Sequence, residues 1–94
     1  MLHKNVQLHP GEILKRAYME PLGISVTELS KMLSVSKASI SRLTSCKSSV
    51  SVEMAIRLSY CLGTSANSWL SMQANYDIAN SIVDETKITK AAKL

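Results

Sequence analysis

The chain has 94 residues, a formal net charge of +4 and 46% hydrophobic residues. That length suits a single domain with a modest core, and so much apolar sequence excludes a disordered chain. No apolar run approaches the roughly 20 residues that span a bilayer, and polar residues near the start break any signal-peptide pattern. Neither cysteine has the spacing of a metal site, so we expect a cytoplasmic protein with reduced thiols, no metal and no cofactor. The basic balance is compatible with nucleic-acid binding.

No segment alternates apolar and polar residues over six positions, so we expect an all-α domain. A polar lead-in covers residues 1–9, and we interpret His9 within it as an exposed imidazole rather than a metal ligand. Pro10 suits the first position of a helix, where its missing N–H costs nothing. Helix one then covers about residues 11–19. Pro21 is predicted to end it, because the residue before a proline avoids the helical region.

Residues 25–45 are the most informative stretch, and they open with a capping box at Ser25-Val26-Thr27-Glu28. In this motif the serine hydroxyl accepts from the backbone N–H of the glutamate, and the glutamate carboxylate reaches back to the serine N–H. An apolar stripe at helical spacing follows and predicts helix two. The residues of this stripe are Val26, Leu29, Met32 and Leu33.

A second short helix follows almost immediately. Ser36 is its predicted cap, and Ile40 and Leu43 lie on its buried side. Only Ser34 and Val35 separate the two helices. Two helices joined by such a tight turn form the helix-turn-helix unit, which places its second helix in the DNA major groove.

The outward face of helix three is therefore the predicted DNA surface. An arginine at such a position pairs with guanine through two hydrogen bonds, and serines bond to several base edges. The predicted base-reading residues are Lys37, Ala38, Ser39, Ser41 and Arg42. Hydroxyls and helix starts also hold phosphates. The predicted phosphate contacts are Ser25, Thr27, Ser36, Ser45 and Lys47. Any one of these residues could instead be a solvated side chain, and the motif as a unit is the stronger signal.

Two more helices complete the predicted domain. Ser51 caps helix four, and Gly63 ends it as a left-handed cap. Ser65 caps helix five, which is predicted over residues 66–83. The tail over residues 84–94 alternates charged and small residues, so we expect it to be exposed or weakly ordered.

Helix five is apolar over more than one face, which is hard to bury in a chain of this size. Either the helix packs centrally, or part of it forms a subunit interface. Operators for helix-turn-helix proteins are usually two-fold, with half-sites about 34 Å apart, so DNA binding requires a dimer. We predict a homodimer through helix five and the tail. The candidate interface residues are Trp69, Met72, Tyr76 and Ile82.

The chain resembles the HigA-type, VapI-like antitoxins of the Xre/Cro helix-turn-helix group. The resemblance rests mainly on His9-Pro10-Gly11-Glu12, on Leu62-Gly63-Thr64-Ser65, and on Trp69-Leu70 with Gln73 and Tyr76-Asp77. It implies a five-helix, lambda-repressor-like fold, a homodimer and binding to double-stranded operator DNA. It also implies autorepression of the operon and neutralisation of a HigB-type ribonuclease toxin. Carried onto this chain, its DNA-reading positions are the five on helix three.

The resemblance also marks departures. Relatives often carry glutamine at the position of Val26, and glycine at the positions of Ser34 and Cys46. No motif marks the toxin-binding surface, for which Lys15, Arg16 and Met19 on helix one are one candidate. Two other functions stay open: a stand-alone repressor without a toxin, and a helical adaptor that binds only protein. The residues form no catalytic constellation, so we do not expect an enzyme.

Overall fold

The protein is described by a computed structural model over residues 7–92, a range that contains five helical segments and no strand. The all-α prediction is therefore confirmed. The first segment, α1, runs through three consecutive pieces. The others are α2, α3, α4 and α5, followed by one 3-10 turn. The bounds are Pro10–Ile13, Leu14–Met19 and Glu20–Leu22 for α1, Val26–Leu33 for α2, Lys37–Thr44 for α3, Val52–Leu62 for α4, Ala66–Ala79 for α5 and Glu85–Lys87 for the turn.

The first helix is longer than predicted, because Pro21 does not end it. Its middle piece is a π-helix, in which the Glu20 N–H bonds to the Lys15 carbonyl five residues back. A proline inside an α-helix clashes with the carbonyl four residues earlier, and the wider turn provides room for it. The helix ends instead at Gly23, whose φ of 65° is left-handed. The prediction that Pro21 stops the helix was wrong.

The predicted caps of the next helices are present. At the start of α2 the Ser25 hydroxyl accepts from the Glu28 N–H at 3.1 Å, and the Glu28 carboxylate accepts from the Ser25 N–H at 2.9 Å. Ser36 caps α3 by accepting from the Ser39 N–H at 3.1 Å. Ser51 caps α4 in the same way, and Gly63 ends it in the left-handed region.

The last helix is shorter than predicted and ends at Ala79 rather than near residue 83. Polar side chains take up its final carbonyls: the Asn80 amide donates to the Tyr76 carbonyl, and the Ser81 hydroxyl donates to the Asp77 carbonyl. Side chains that bond to a helix's own last carbonyls compete with its continuation. Residues 80–92 are all exposed.

One core lies between the helices and takes residues from all of them. α2 packs on α3 and α4, α4 packs on α5, and the first turn of α1 contacts both α3 and α5. The stripe predicted for α2 is only partly buried, because Met32 is 53% exposed. The fully buried large side chains are Trp69, Leu14, Leu29, Ile40, Leu43, Leu58 and Pro10.

Among residues 7–92, no helix is both long enough and apolar enough to cross a membrane.

Candidate nucleic-acid interface

The turn between α2 and α3 depends on a residue in an unusual backbone conformation. Ser34 has a φ of 56°, and its N–H bonds to the Lys31 carbonyl while the next N–H, of Val35, bonds to the Ser30 carbonyl. This is the left-handed termination that usually selects glycine. It reverses the chain within two residues and sets α3 across α2.

The far end of α3 is built in the same way. Cys46 has a φ of 63°, and the N–H of Lys47 bonds to the Arg42 carbonyl at 2.8 Å. Non-glycine residues adopt positive φ only at a cost of about 1–2 kcal/mol each. Left-handed residues therefore lie at the entry to α3 and at its exit. These are the two positions at which the family resemblance leads one to expect glycine.

Arg57 on α4 forms a hydrogen bond to the end of α2. Its Nη1 donates to the Leu33 carbonyl at 2.7 Å, and its Nε and Nη2 both bond to Glu53 at 3.0 Å. The carbonyl belongs to the last residue of α2, where intrahelical partners run out. Sequence reasoning assigned no role to Arg57, because a contact between residues 24 positions apart leaves no periodic signal.

The inner side of α3 is fixed by burial. Ile40 is fully buried and Leu43 is 2% exposed, as the spacing predicts. With 3.6 residues per turn, the opposite side carries Ala38, Arg42 and Ser45. The exposed side chains of α3 and of the residue that follows it are Lys37, Ala38, Ser41, Arg42 and Ser45.

Ser39 occupies a different position from the other predicted base-reading residues. It is half-buried, and its hydroxyl lies 2.8 Å from the hydroxyl of Ser36. Its side chain therefore belongs to the cap of α3 rather than to the centre of the outward face. The Ser45 hydroxyl also bonds locally, donating to the Ser41 carbonyl at 2.6 Å.

The predicted phosphate contacts lie at exposed positions around this face. Ser25, Thr27 and Ser36 are exposed at the starts of α2 and α3, and Lys47 is exposed after α3. The Ser25 oxygen accepts from a backbone N–H, so its own proton is still available to donate. Hydrogen bonds from Ser25 lower the pKa of the neighbouring Glu28, which keeps that carboxylate charged. Within residues 7–92 no cluster of three potential metal ligands occurs.

The dimer residues predicted on α5 do not share one surface. Trp69 is 1% exposed, and its Nε1 donates to the Thr64 hydroxyl at 2.7 Å. Its assignment to a subunit interface was wrong, because the ring fills the chain's own core. Met72 and Tyr76 are half-buried, whereas Ile82 is 99% exposed beyond the end of the helix.

The lead-in and helix one also differ from expectation. His9 was interpreted as exposed, but it is only 5% exposed because it caps α1 and packs on α5. Met19, a candidate for toxin contact, is 6% exposed and belongs to the core. Lys15 and Arg16 are exposed, and Arg16 pairs with Glu12 at 2.7 Å.

Residues 15–69 match the helix-turn-helix family, a range that includes α2, α3 and α4. The chain belongs to the helix-turn-helix family. In that family the second helix of the motif is the recognition helix, and here it is α3.

Known proteins extend the similarity beyond the matched range. The chain is 37% identical over 81 residues to Virulence-associated protein I of Dichelobacter nodosus, covering 86% of this chain and 75% of that protein. It is 38% identical over 69 residues to YbaQ, an uncharacterised helix-turn-helix-type transcriptional regulator of Escherichia coli, covering 73% and 61%. A solved structure of the Pseudomonas aeruginosa antitoxin HigA with the higBA promoter superposes with a TM-score of 0.77 at 34% identity, covering 79% and 80%.

Proposed function

We propose that this helix-turn-helix protein binds operator DNA through α3 and represses its own operon. The exposed face of α3 supports the proposal, since it carries Lys37 and Arg42 among small hydroxyl-bearing residues. The similarity to HigA, solved with a promoter, supports it independently. Such a protein would act in the cytoplasm, where operator DNA lies.

In this proposal, residues divide between base reading and phosphate contact. Arg42 takes a guanine through its O6 and N7, and Lys37 contacts a base edge or a phosphate at the start of the groove. Ala38 and Ser41 lie close to the base edges, and Ser39 holds the capping hydroxyl of Ser36. The sugar-phosphate backbones on either side of the groove are bound by hydroxyls, by backbone amides and by one lysine. These contacts come from Ser25, Thr27, Ser36, Ser45 and Lys47.

Arg42→Ala tests this assignment. If Arg42 pairs with guanine, the substitution weakens binding to the operator by about 1–3 kcal/mol and leaves binding to random DNA nearly unchanged. Mobility shift with the DNA upstream of the gene measures both affinities. Arg16→Ala is the matched control, because it removes the same charge from α1. An equal loss on both DNAs would make Arg42 a phosphate contact, and no binding by the unmodified chain would exclude the function.

We further propose that the chain forms a homodimer and neutralises a HigB-type ribonuclease toxin. The likeness to an antitoxin over 79% of the chain supports the toxin partner. Co-expression with the product of the neighbouring reading frame tests it: the antitoxin restores growth that the toxin alone stops. A neighbouring product that is not toxic, or one that stays toxic in the presence of this chain, would contradict the proposal.

A stand-alone repressor is the second candidate function. Its support is the 38% identity to YbaQ, which is named as a transcriptional regulator. The two functions differ only in whether a toxin is bound as well as operator DNA. The co-expression experiment therefore separates them, whereas the mobility shift tests the DNA binding that they share.

A further inference from the structure

The first turn of α1 lies between α3 and α5, and the backbone of this turn lies directly against the backbone of α3. A Cβ atom on Gly11 would stand 1.7 Å from the Leu43 carbonyl oxygen, so the two backbones are in direct contact. That carbonyl also accepts from the N–H of Cys46, the left-handed residue after α3. A second contact lies beside it, where the Cys46 thiol donates to the Glu12 carboxylate at 3.9 Å. These two contacts connect the position of the end of α3 to the position of α1.

His9 joins this turn to the other side. Its Nδ1 accepts from the Gly11 N–H at 2.9 Å, and its ring meets the ring of Tyr76 on α5 edge to face, with centroids 4.9 Å apart. Gln73, one turn earlier on α5, accepts from the Val50 N–H at 2.9 Å and donates to Asp77 at 3.0 Å. His9 thus contacts the last helix with its ring and, with its nitrogen, holds the glycine that lies against α3.

We infer that His9 is a positioning residue for DNA recognition, whose neutral ring holds α1 between α5 and α3 and so sets how α3 is presented to the operator. The inference rests on the proposed operator binding. It assigns a role to the first motif of the family resemblance, His9-Pro10-Gly11-Glu12. This motif lies outside α3, so it forms no part of the proposed DNA-reading face. Gly11 allows the backbones of α1 and α3 to lie in contact, and His9 orients the turn that contains Gly11.

The hydrogen bond at Nδ1 makes this role sensitive to protonation. An imidazole that accepts at Nδ1 carries its proton on Nε2, and a second proton on Nδ1 would face the Gly11 N–H, donor against donor. Burial lowers the pKa of His9, while the carboxylates of Asp77 and Glu12 and a hydrogen bond to the Ser48 backbone oppose that shift. Tyr76 is the remaining titratable group against the ring. The balance favours the neutral, accepting form in the folded protein.

The sign of the pH effect distinguishes this role from simple electrostatics. Added positive charge on a DNA-binding protein normally strengthens its binding to DNA. Here, the cap is lost only when the pH falls through the pKa of His9 in the folded protein, which burial places below the ordinary histidine value of about 6.5. Protonation of Nδ1 at that point should weaken operator binding instead. The expected loss of operator affinity is about fivefold, which is the equilibrium factor that corresponds to the free energy of one helix cap.

The test follows operator affinity from pH 7.5 downward through a series of acidic pH values for the unmodified chain, His9→Asn and His3→Asn. Circular dichroism at every pH value measures the folded fraction. Asparagine can cap a helix but does not titrate. We expect the acid-induced loss in the unmodified chain and in His3→Asn, but not in His9→Asn. A third variant, Tyr76→Leu, should weaken operator binding at pH 7.5 because it removes the aromatic ring on α5 that His9 contacts.

Several results would overturn the inference. One is an acid-induced loss that persists in His9→Asn, and another is a loss that tracks the folded fraction. A third is binding that strengthens on acidification in all three proteins. If the unmodified chain binds no operator at pH 7.5 or at any lower pH, the proposed function itself fails. That outcome differs from a working repressor without this pH profile.

Discussion

At the scale of single residues, the backbone contact at Gly11 strictly limits which side chain can stand at this position. The Leu43 carbonyl oxygen would lie 1.7 Å from any added Cβ. No side-chain rotation relieves this clash, because the carbonyl belongs to the backbone and the backbone of residue 11 fixes the position of a Cβ. Gly63 is different, since no atom beyond its immediate chain neighbours lies within 4 Å of the place where its Cβ would stand, and its φ of 69° is what favours glycine. Two glycines in one small domain thus have separate physical causes.

We therefore expect Gly11→Ala to lower the free energy of unfolding by more than about 3 kcal/mol, through displacement of α1 from α3. Gly63→Ala, the matched control, should cost about 1–2 kcal/mol from backbone strain alone. Chemical denaturation followed by circular dichroism measures both changes. Equal losses in the two variants would contradict the close approach.

Ser34 offers the opposite case, a position where glycine should improve the fold. Ser34→Gly relieves left-handed strain of about 1–2 kcal/mol and loses part of that gain to the greater freedom of the unfolded chain. The net expectation is a stabilisation of about 0.5–1 kcal/mol, seen as a higher denaturation midpoint. Ser45→Gly is the control, because Ser45 has a φ of −93° and should only lose stability. A destabilised Ser34→Gly would show that the serine contributes more than its strain costs.

At the scale of helices, Arg57 is the residue that ties α4 to the end of α2. Arg57→Ala removes the bond to the Leu33 carbonyl, so we expect the free energy of unfolding to fall by about 1–2 kcal/mol. Glu53→Gln removes only the exposed ion pair on the same arginine, and should cost less than about 1 kcal/mol. Thermal or chemical denaturation separates the two variants. Losses of equal size would indicate that the ion pair, not the carbonyl bond, is what matters.

The helices also show what sequence patterns can and cannot predict. Caps such as Ser25, Ser36 and Ser51 are local features, so spacing alone located them. Pro21 was misjudged because a π-helical turn upstream changes the geometry that makes proline a terminator. Trp69 was misjudged because an apolar surface wider than one face does not reveal which part the chain's own core will cover. The prediction that His9 is exposed was wrong because its ring packs on Tyr76. The two residues are far apart in sequence, so no local pattern indicates the contact.

At the scale of the whole molecule, the shape is elongated. The principal extents are 53 × 33 × 23 Å, and the radius of gyration is 16.3 Å, against about 12 Å for a compact domain of this length. Residues after α5 extend the molecule and are exposed throughout residues 80–92. Large apolar side chains are exposed on this side of the molecule. Ile78 in the last turn of α5 is 73% exposed, and Ile82 and Val83 beyond the helix are 99% and 64% exposed. We expect the proposed homodimer to bury these side chains in place of Trp69.

Ile82→Asp should therefore shift the chain from dimer to monomer, because a carboxylate in an apolar interface has no partner. Light scattering at micromolar concentration measures the mass. Tyr60→Ser is the control, since Tyr60 is a large apolar side chain that is 86% exposed on another helix, α4, and its loss should leave the mass unchanged. An unmodified chain that is monomeric both alone and on DNA would exclude the dimer.

The outward face of α3 also bears on how this family diversifies. Ala38, Ser41 and Arg42 are exposed, while Ile40 and Leu43 on the opposite side carry the packing. In the proposed function, folding and DNA recognition thus depend on different residues of the same eight-residue helix. Mutations on the outward side can alter the preferred operator with little loss of stability. A duplicated gene could in this way acquire a new binding sequence, and cease to cross-regulate its parent, without passing through an unstable intermediate.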